Sequence, residues 1–84
     1  MNEPIRQRIL ALLQRKGGLP PGFTDDTDYI DEGIVDSLAI VKFIVDLEKA
    51  FDIELTDEDI ESPAFRTVAG LTALVGGKRP NAPL

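Results

Sequence analysis

The chain has 84 residues, with 15 acidic and nine basic side chains and a formal net charge of −6. This length holds one small core, and an acidic surface repels nucleic acids and anionic membranes. The absence of Cys and His excludes disulfides, thiolate catalysis, Cys/His zinc sites and a Ser-His-Asp triad. No apolar run approaches the roughly 18 residues of a membrane span, and no signal peptide is visible. We therefore expect one cytoplasmic domain that binds no nucleic acid.

The charges are segregated along the chain. Residues 1–23 carry a net charge of +3, residues 24–62 carry −12, and residues 63–84 carry +3. An acidic middle between basic ends suggests a face for a basic partner. The alternative is a solvated surface that only keeps the protein soluble.

The first predicted element is a helix over residues 3–16. Its apolar residues recur with helical spacing and form one face. Gly17 and Gly18 are expected to end it, because glycine adopts the left-handed conformation of a helix C-terminus at little cost. The predicted core positions are Ile5, Ile9, Leu12 and Leu13.

Residues 17–35 show neither helical nor strand periodicity and predict a long first loop. A structureless segment of this length is unusual in a small domain unless burial fixes it. The loop contains five acids, but they do not match the ligand spacing of a calcium-binding loop, so we expect no specific metal site. The side chains expected to hold the loop on the bundle are Phe23, Tyr29, Ile30, Ile34 and Val35.

A central helix is predicted over residues 36–51. Its pattern is apolar around much of the circumference, which predicts burial. The residues expected to share the inner face are Val41, Ile44, Leu47, Glu48 and Phe51, widened by Ile40 and Phe43.

Two more helices follow. Thr56 caps a short helix with acids in its first turn, which Pro63 limits to one or two turns. Thr67 caps a last helix that Gly76 and Gly77 are expected to end. The fold class is therefore all-α, a small four-helix bundle with one short helix and a long first loop. We expect one domain over residues 1–76 and a disordered tail over residues 77–84.

Ser37 lies where the long loop meets the central helix. It has no histidine base, and the glycines of a nucleophile elbow are absent, so we expect no enzyme. Taken alone, Ser37 or Asp36 would be interpreted as a helix cap in a helical protein-interaction module.

The surroundings of Ser37 favour another interpretation. Residues 29–38, YIDEGIVDSL, resemble the prosthetic-group site of acyl and peptidyl carrier proteins. Residues 47–51, LEKAF, resemble the end of that family's central helix, and residues 52–55 resemble the segment before its third helix. The resemblance continues through Pro63 and Phe65 and spans about residues 3–76, with the length and acidity typical of stand-alone carriers.

The resemblance implies a carrier function. Ser37 would receive 4′-phosphopantetheine from coenzyme A through a separate, magnesium-dependent phosphopantetheinyl transferase. The terminal thiol would hold acyl intermediates as thioesters, which an acyl- or aminoacyl-loading ligase loads and downstream synthases or transferases use. Asp36 would either help place the magnesium ion or cap the helix. The phosphodiester is expected beside unpaired backbone N–H groups at the helix start.

The resemblance also implies a partner surface on the central helix of a monomeric carrier. It comprises the apolar residues Leu38, Val41 and Val45 with Asp46 beside them, and it would steer basic enzymes electrostatically. For Val41 the core position remains an equal alternative.

Two departures from the fatty-acid type concern the cargo. Ala39 and Lys42 stand where fatty-acid carriers usually have acids, and two residues rather than one separate Gly33 from Asp36. Both favour a specialised or aminoacyl carrier, including the D-alanyl kind, as the alternative to an acyl carrier.

Overall fold

A computed structural model describes residues 3–78, which are helical apart from their connecting segments and contain no strand. This confirms the predicted all-α class with four α-helices. None of the helices described combines the length and apolar character needed to cross a bilayer. The helices are α1 (Glu3–Gly17), α2 (Ile40–Phe51), α3 (Asp57–Glu61) and α4 (Val68–Lys78), with a 3₁₀ helix (Pro63–Arg66) between the last two.

The core lies between α1, α2 and α4. All four predicted core positions of α1 are buried. Complete burial of one such aliphatic side chain contributes about 1.5–3 kcal/mol relative to exposure. The other helices contribute Phe43, Leu47 and Phe51 from α2, and Val68, Leu71 and Val75 from α4.

The long loop is held down by its apolar side chains, as predicted. Tyr29 and Val35 are fully buried, and Phe23, Ile30 and Ile34 pack partly buried against the core. The Tyr29 ring stands edge-on to two phenylalanine rings, at centroid distances of 5.6 Å to Phe43 and 6.4 Å to Phe65.

The hydroxyl of Tyr29 also holds the loop. It donates a hydrogen bond to the Phe65 carbonyl oxygen, and burial raises its pKa. The Tyr29 amide donates to the Arg66 carbonyl oxygen over 3.1 Å. One residue thus connects the long loop to the 3₁₀ helix.

Ion pairs between distant parts of the chain complete the bundle. Arg6 and Arg66 bind the loop acids Asp25 and Asp28, with Nε–Oδ2 distances of 2.7 and 2.6 Å. Two loop acids are therefore engaged in holding the loop. The corresponding pairs between helices are Lys16–Asp46 at 2.9 Å and Lys78–Asp59 at 2.7 Å. In the described part of the chain, no three potential metal ligands cluster together.

The caps around α3 and α4 are those predicted. Thr56 forms a capping box with Asp59, in which each side chain accepts a hydrogen bond from the other residue's backbone N–H. The Thr67 hydroxyl accepts from the Gly70 amide over 2.9 Å. Gly70 also permits close helix packing, because a Cβ at this position would overlap the Ala64 carbonyl.

Two helix boundaries differ from the prediction. Regular helix α2 begins at Ile40 rather than at residue 36, because residues 37–39 form a turn stabilised by Asp36. Helix α4 continues through Gly76 and Gly77 to Lys78. Glycine permits a helix end without imposing one, and the ion pair of Lys78 with Asp59 secures this last turn. Residues 79–84 of the predicted tail lie outside the described residues.

Candidate functional site at the Ser37 turn

The site is a turn that Asp36 holds in place at the start of α2. Its Oδ1 atom accepts hydrogen bonds from the amides of Leu38 and Ala39, at 3.0 and 2.8 Å. Its carbonyl oxygen accepts from the amides of Ala39 and Ile40, at 3.1 and 3.0 Å. Asp36 thus caps the turn that precedes α2, while the N-cap of α2 itself is Ala39 and receives no side-chain hydrogen bond. Ser37 takes no part in either.

Ser37 is presented to solvent by this turn. Its side chain is exposed, and none of the side-chain hydrogen bonds found within residues 3–78 uses its hydroxyl. An exposed hydroxyl without a structural partner suits covalent modification, because attaching a group there breaks no contact. The residues present therefore fit the prosthetic group that the sequence resemblance implies.

The backbone N–H groups beside Ser37 fit the predicted phosphate contact only in part. The amides of Leu38, Ala39 and Ile40 all donate to Asp36. The amides of Ser37, Val41 and Lys42 have no acceptor among the hydrogen bonds found within residues 3–78, so unpaired N–H groups do occur at the start of α2. Asp36 satisfies with its own carboxylate and carbonyl only the three donors that lie between Ser37 and Val41.

An apolar row runs from the turn along the outer side of α2. It consists of Leu38, Val41 and Val45, whose exposed fractions are 89%, 65% and 38%. The core position considered for Val41 is wrong, because α2 buries Phe43, Leu47 and Phe51. Val41 precedes Phe43 by two residues, so it lies about 200° around the helix from that buried side chain.

The predicted acidic neighbour of this row, Asp46, is engaged inside the molecule. Its carboxylate lies 2.9 Å from Lys16 Nζ and 3.5 Å from Lys42 Nζ. The hydrogen bond with Lys16, aided by the charge of both lysines, lowers the pKa of Asp46. Glu48 is engaged too, since its Oε2 accepts from the Leu55 amide over 2.8 Å. Both acids near the row are thus committed to contacts within the protein, and the charge of Asp46 is offset by lysines.

A cleft that the sequence did not predict lies beside the turn. This loop cleft has a volume of about 450 Å³ and is lined by residues 16–20, residues 32–34, Asp36 and Ala39. The paired glycines and prolines of the loop indicated irregular backbone there. Nothing in their spacing indicated that the end of α1 and the loop would border an open cleft next to Ser37.

Comparison with known proteins identifies the family of this fold and site. The family model described as "Phosphopantetheine attachment site" matches residues 7–75, which include the Ser37 turn. The chain belongs to this family of carrier proteins. The prosthetic group of the family is 4′-phosphopantetheine, and its members work with enzymes that modify and load them.

The relatives of this carrier protein include two kinds. A D-alanyl carrier protein of Lactococcus lactis subsp. cremoris (strain MG1363) is 38% identical over 75 residues, covering 88% of this chain and 95% of the relative. That of Lactococcus lactis subsp. lactis (strain IL1403) is 30% identical over 76 residues, covering 89% and 96%. An acyl carrier protein of Syntrophobacter fumaroxidans is 44% identical over 45 residues, covering 54% and 53%.

Proposed function

We propose that this carrier protein bears its 4′-phosphopantetheine arm on Ser37 and presents acyl intermediates to partner enzymes. The observation that carries the proposal is the exposed Ser37 hydroxyl, which has no hydrogen-bond partner among the described residues on a turn that Asp36 fixes. The arm supplies the thiol on which a carboxylic acid is held as a thioester.

Asp36 has two functions in this proposal. Both of its side-chain hydrogen bonds use Oδ1, which leaves Oδ2 outside the cap. Oδ2 is therefore available to the magnesium ion of a phosphopantetheinyl transferase, since carboxylate oxygen is a preferred magnesium ligand. The same carboxylate thus shapes the turn and helps the transferase to place its metal.

The apolar row is the proposed contact surface for partner enzymes. An exposed leucine on the turn before α2 and two valines on adjacent turns of α2 form a small hydrophobic patch, which a partner can bury. The proposed partners are the transferase, an acyl- or aminoacyl-loading ligase, and the downstream enzymes that take the cargo. The cargo chemistry belongs to those enzymes, and we propose that the carrier itself catalyses none of it. The cytoplasmic location stays a prediction.

The test is the intact mass of the protein after incubation with coenzyme A, magnesium and a broad-specificity transferase. We expect the mass of one phosphopantetheine to be added to the wild type and none to Ser37→Ala. Ser62 is the matched control, because it is the only other serine of the chain. Ser62→Ala should gain the full mass. A gain by Ser37→Ala would contradict the assignment of the attachment residue.

A second candidate function differs in the cargo. We propose, as the alternative to a simple acyl group, an amino acid of the D-alanyl kind. Two observations favour this alternative. The D-alanyl relatives align over nearly their whole length, and the exposed Lys42 adds a positive charge beside the apolar row. Lys42 makes this surface less attractive to partners that recognise a purely acidic helix.

Loading assays distinguish the two cargoes. The arm-bearing protein would be offered D-alanine with a D-alanine-activating ligase and ATP, and separately a fatty acid with an acyl-activating ligase. The aminoacyl candidate predicts the mass of one alanyl group and little fatty acylation, and the acyl candidate predicts the reverse. Lys42→Glu should shift the preference towards the fatty-acid ligase if this lysine discriminates between partners.

A further inference from the structure

The loop cleft opens beside the residue that bears the arm. Asp36 and Ala39 line it, and they flank Ser37 in the chain. A group attached to Ser37 therefore begins at the rim of this cleft. Its volume of about 450 Å³ falls within the range of roughly 300–1,000 Å³ typical of small-molecule sites.

The walls of the cleft combine apolar side chains with bare backbone. Leu19 and Ile34 are partly buried and contribute apolar surface. Gly18 and Gly33 have positive φ angles of 77° and 81°, and a Cβ at either would meet nothing within 4 Å. The backbone of these two glycines is therefore accessible from outside.

The cleft also offers hydrogen-bond acceptors. Within residues 3–78, no hydrogen bond outside the helices ends on the carbonyl oxygen of Gly17, Gly18 or Gly33. Gly17 is the last residue of α1, so its carbonyl has no acceptor role within that helix. Carbonyl oxygens that lack a protein partner suit a ligand that brings N–H donors.

The charges around the cleft disfavour a phosphate inside it. Glu32 and Asp36 line the cleft and are exposed, whereas Lys16, the cation among the lining residues that the structure describes, is paired with Asp46 at 2.9 Å. The amides of Leu38 and Ala39, which lie on the cleft side of Ser37 in the chain, donate to Asp36 and are not free for a phosphate. The cleft therefore suits an uncharged chain with apolar groups and amide donors.

We propose that the uncharged pantetheine part of the arm folds back from Ser37 into the loop cleft, while the phosphodiester stays in solvent. The geminal methyl groups of pantetheine match the apolar wall at Leu19 and Ile34. Its amide N–H groups match the carbonyl oxygens of Gly17, Gly18 and Gly33. The inference rests on the proposed function, because it requires the arm to be attached to Ser37.

NMR of the wild type with and without the arm tests this inference. We expect amide shift changes at Gly17, Gly18 and Gly33, and nuclear Overhauser effects between the geminal methyl groups and Leu19. A second groove between α1 and α2, lined by Arg8 and Lys49 among others, is the internal reference and should not change. Changes confined to residues 36–40, or extending along the apolar row instead, would overturn the inference.

A pair of alanine variants provides the second measurement. Ala39 lines the loop cleft and Ala50 lines the α1–α2 groove, and both are half-buried. The chain has no cysteine, so a maleimide reports only the thiol of the arm. Ala39→Leu should raise the alkylation rate about fivefold, as expected for an arm that spends about four-fifths of its time in the cleft. Ala50→Leu should leave the rate unchanged.

The mass of each sample separates the two hypotheses. A mass gain without shifts at the cleft glycines overturns the folded-back arm and leaves the carrier function intact. A mass gain with equal alkylation rates in both variants does the same. If no transferase adds mass to the folded protein, the proposed attachment at Ser37 is wrong, and the proposed binding of the arm in the cleft is wrong as well.

Discussion

Two turns of this protein contain the same pair of aspartate hydrogen bonds, but one turn buries the next side chain and the other exposes it. Asp28 Oδ1 accepts hydrogen bonds from the amides two and three residues ahead, at 3.0 and 2.8 Å. Asp36 Oδ1 does the same, at the same distances. The residue after Asp28 is Tyr29, which is fully buried, whereas the residue after Asp36 is Ser37, which is exposed.

The surroundings of the two aspartates explain the difference. The carboxylate of Asp28 is also bound by Arg66 at 2.6 Å, which fastens its turn to the 3₁₀ helix and directs Tyr29 into the core. The structure shows no such ion pair for Asp36 within residues 3–78, and its turn leads directly into α2. The same capping geometry thus anchors a loop at one position and displays a side chain at the other.

The largest expected effect is at the anchored turn. Tyr29→Ala should lower the free energy of unfolding by about 3–5 kcal/mol, because it removes a buried ring between Phe43 and Phe65. Tyr29→Phe keeps the ring but leaves the Phe65 carbonyl without its donor, and should lower it by about 1–3 kcal/mol. Urea unfolding at neutral pH measures both. A loss below about 1 kcal/mol for Tyr29→Ala would show that the loop is not anchored by this residue.

Asp28→Ala should lower the free energy of unfolding by about 2 kcal/mol, because it removes both the acceptor of the two turn hydrogen bonds and the partner of Arg66. Burial acts to raise the pKa of Asp28, but the hydrogen bond from the Asp31 amide and the ion pair with Arg66 outweigh it and lower the pKa. The stabilisation is therefore complete above the ordinary Asp pKa of about 3.9 and is lost as the pH falls through the lowered folded-state value.

Asp28→Asn separates the two contributions of Asp28, since the asparagine side-chain oxygen can accept the same turn hydrogen bonds but carries no charge. Its deficit relative to the wild type should be present at neutral pH and vanish at a pH well below the ordinary aspartate pKa. Urea titrations across this pH range measure the deficit. If it did not change with pH, the ion pair with Arg66 would contribute nothing.

Asp36→Ala should lower the free energy of unfolding by about 1 kcal/mol, because it removes the cap alone. Asp36→Asn is the matched control and should restore the stability. If Oδ2 helps to place magnesium, the rate of arm transfer should stay low in Asp36→Asn despite its intact cap. Equal transfer rates in Asp36→Asn and the wild type would restrict Asp36 to its capping role.

The smallest effect on stability is expected for Ser37→Ala. Because no hydrogen bond of the described residues uses the hydroxyl, the free energy of unfolding should change by no more than about 0.5 kcal/mol. Urea unfolding measures this against Ser62→Ala, which removes the hydroxyl that accepts from the Ala64 amide over 3.1 Å. If Ser37→Ala were the more destabilising of the two, Ser37 would have a structural role after all.

The sequence predicted what local periodicity and capping chemistry determine. The core face of α1, the Thr56 and Thr67 caps and the burial of Tyr29 all followed from spacing and residue type. The exposure of Val41 could not be settled, because apolar residues surround much of α2 and only the packed neighbours decide which side is covered.

Contacts between distant residues were beyond the sequence. The ion pair of Lys78 with Asp59 helps α4 to continue beyond Gly76 and Gly77. The loop cleft exists only because the end of α1 lies next to residues 32–34. The location of Ser37 between the long loop and the central helix was predictable from its neighbours in the chain. The hydrogen bonds that Asp36 accepts from the amides of Leu38 and Ala39 were not predictable, because they depend on the conformation of the turn.

The four long-range ion pairs found within residues 3–78 share a pattern that concerns how the chain folds. Each joins an acid of residues 24–62 to a base of residues 1–23 or 63–84. The positive segments, residues 1–23 and 63–84, are therefore attracted to the negative segment, residues 24–62, before any helix is packed. We expect this attraction to contract the denatured chain, and a more compact chain finds its native contacts sooner. Salt screens this attraction over about 8 Å at physiological ionic strength, so added salt should slow refolding more than it accelerates unfolding.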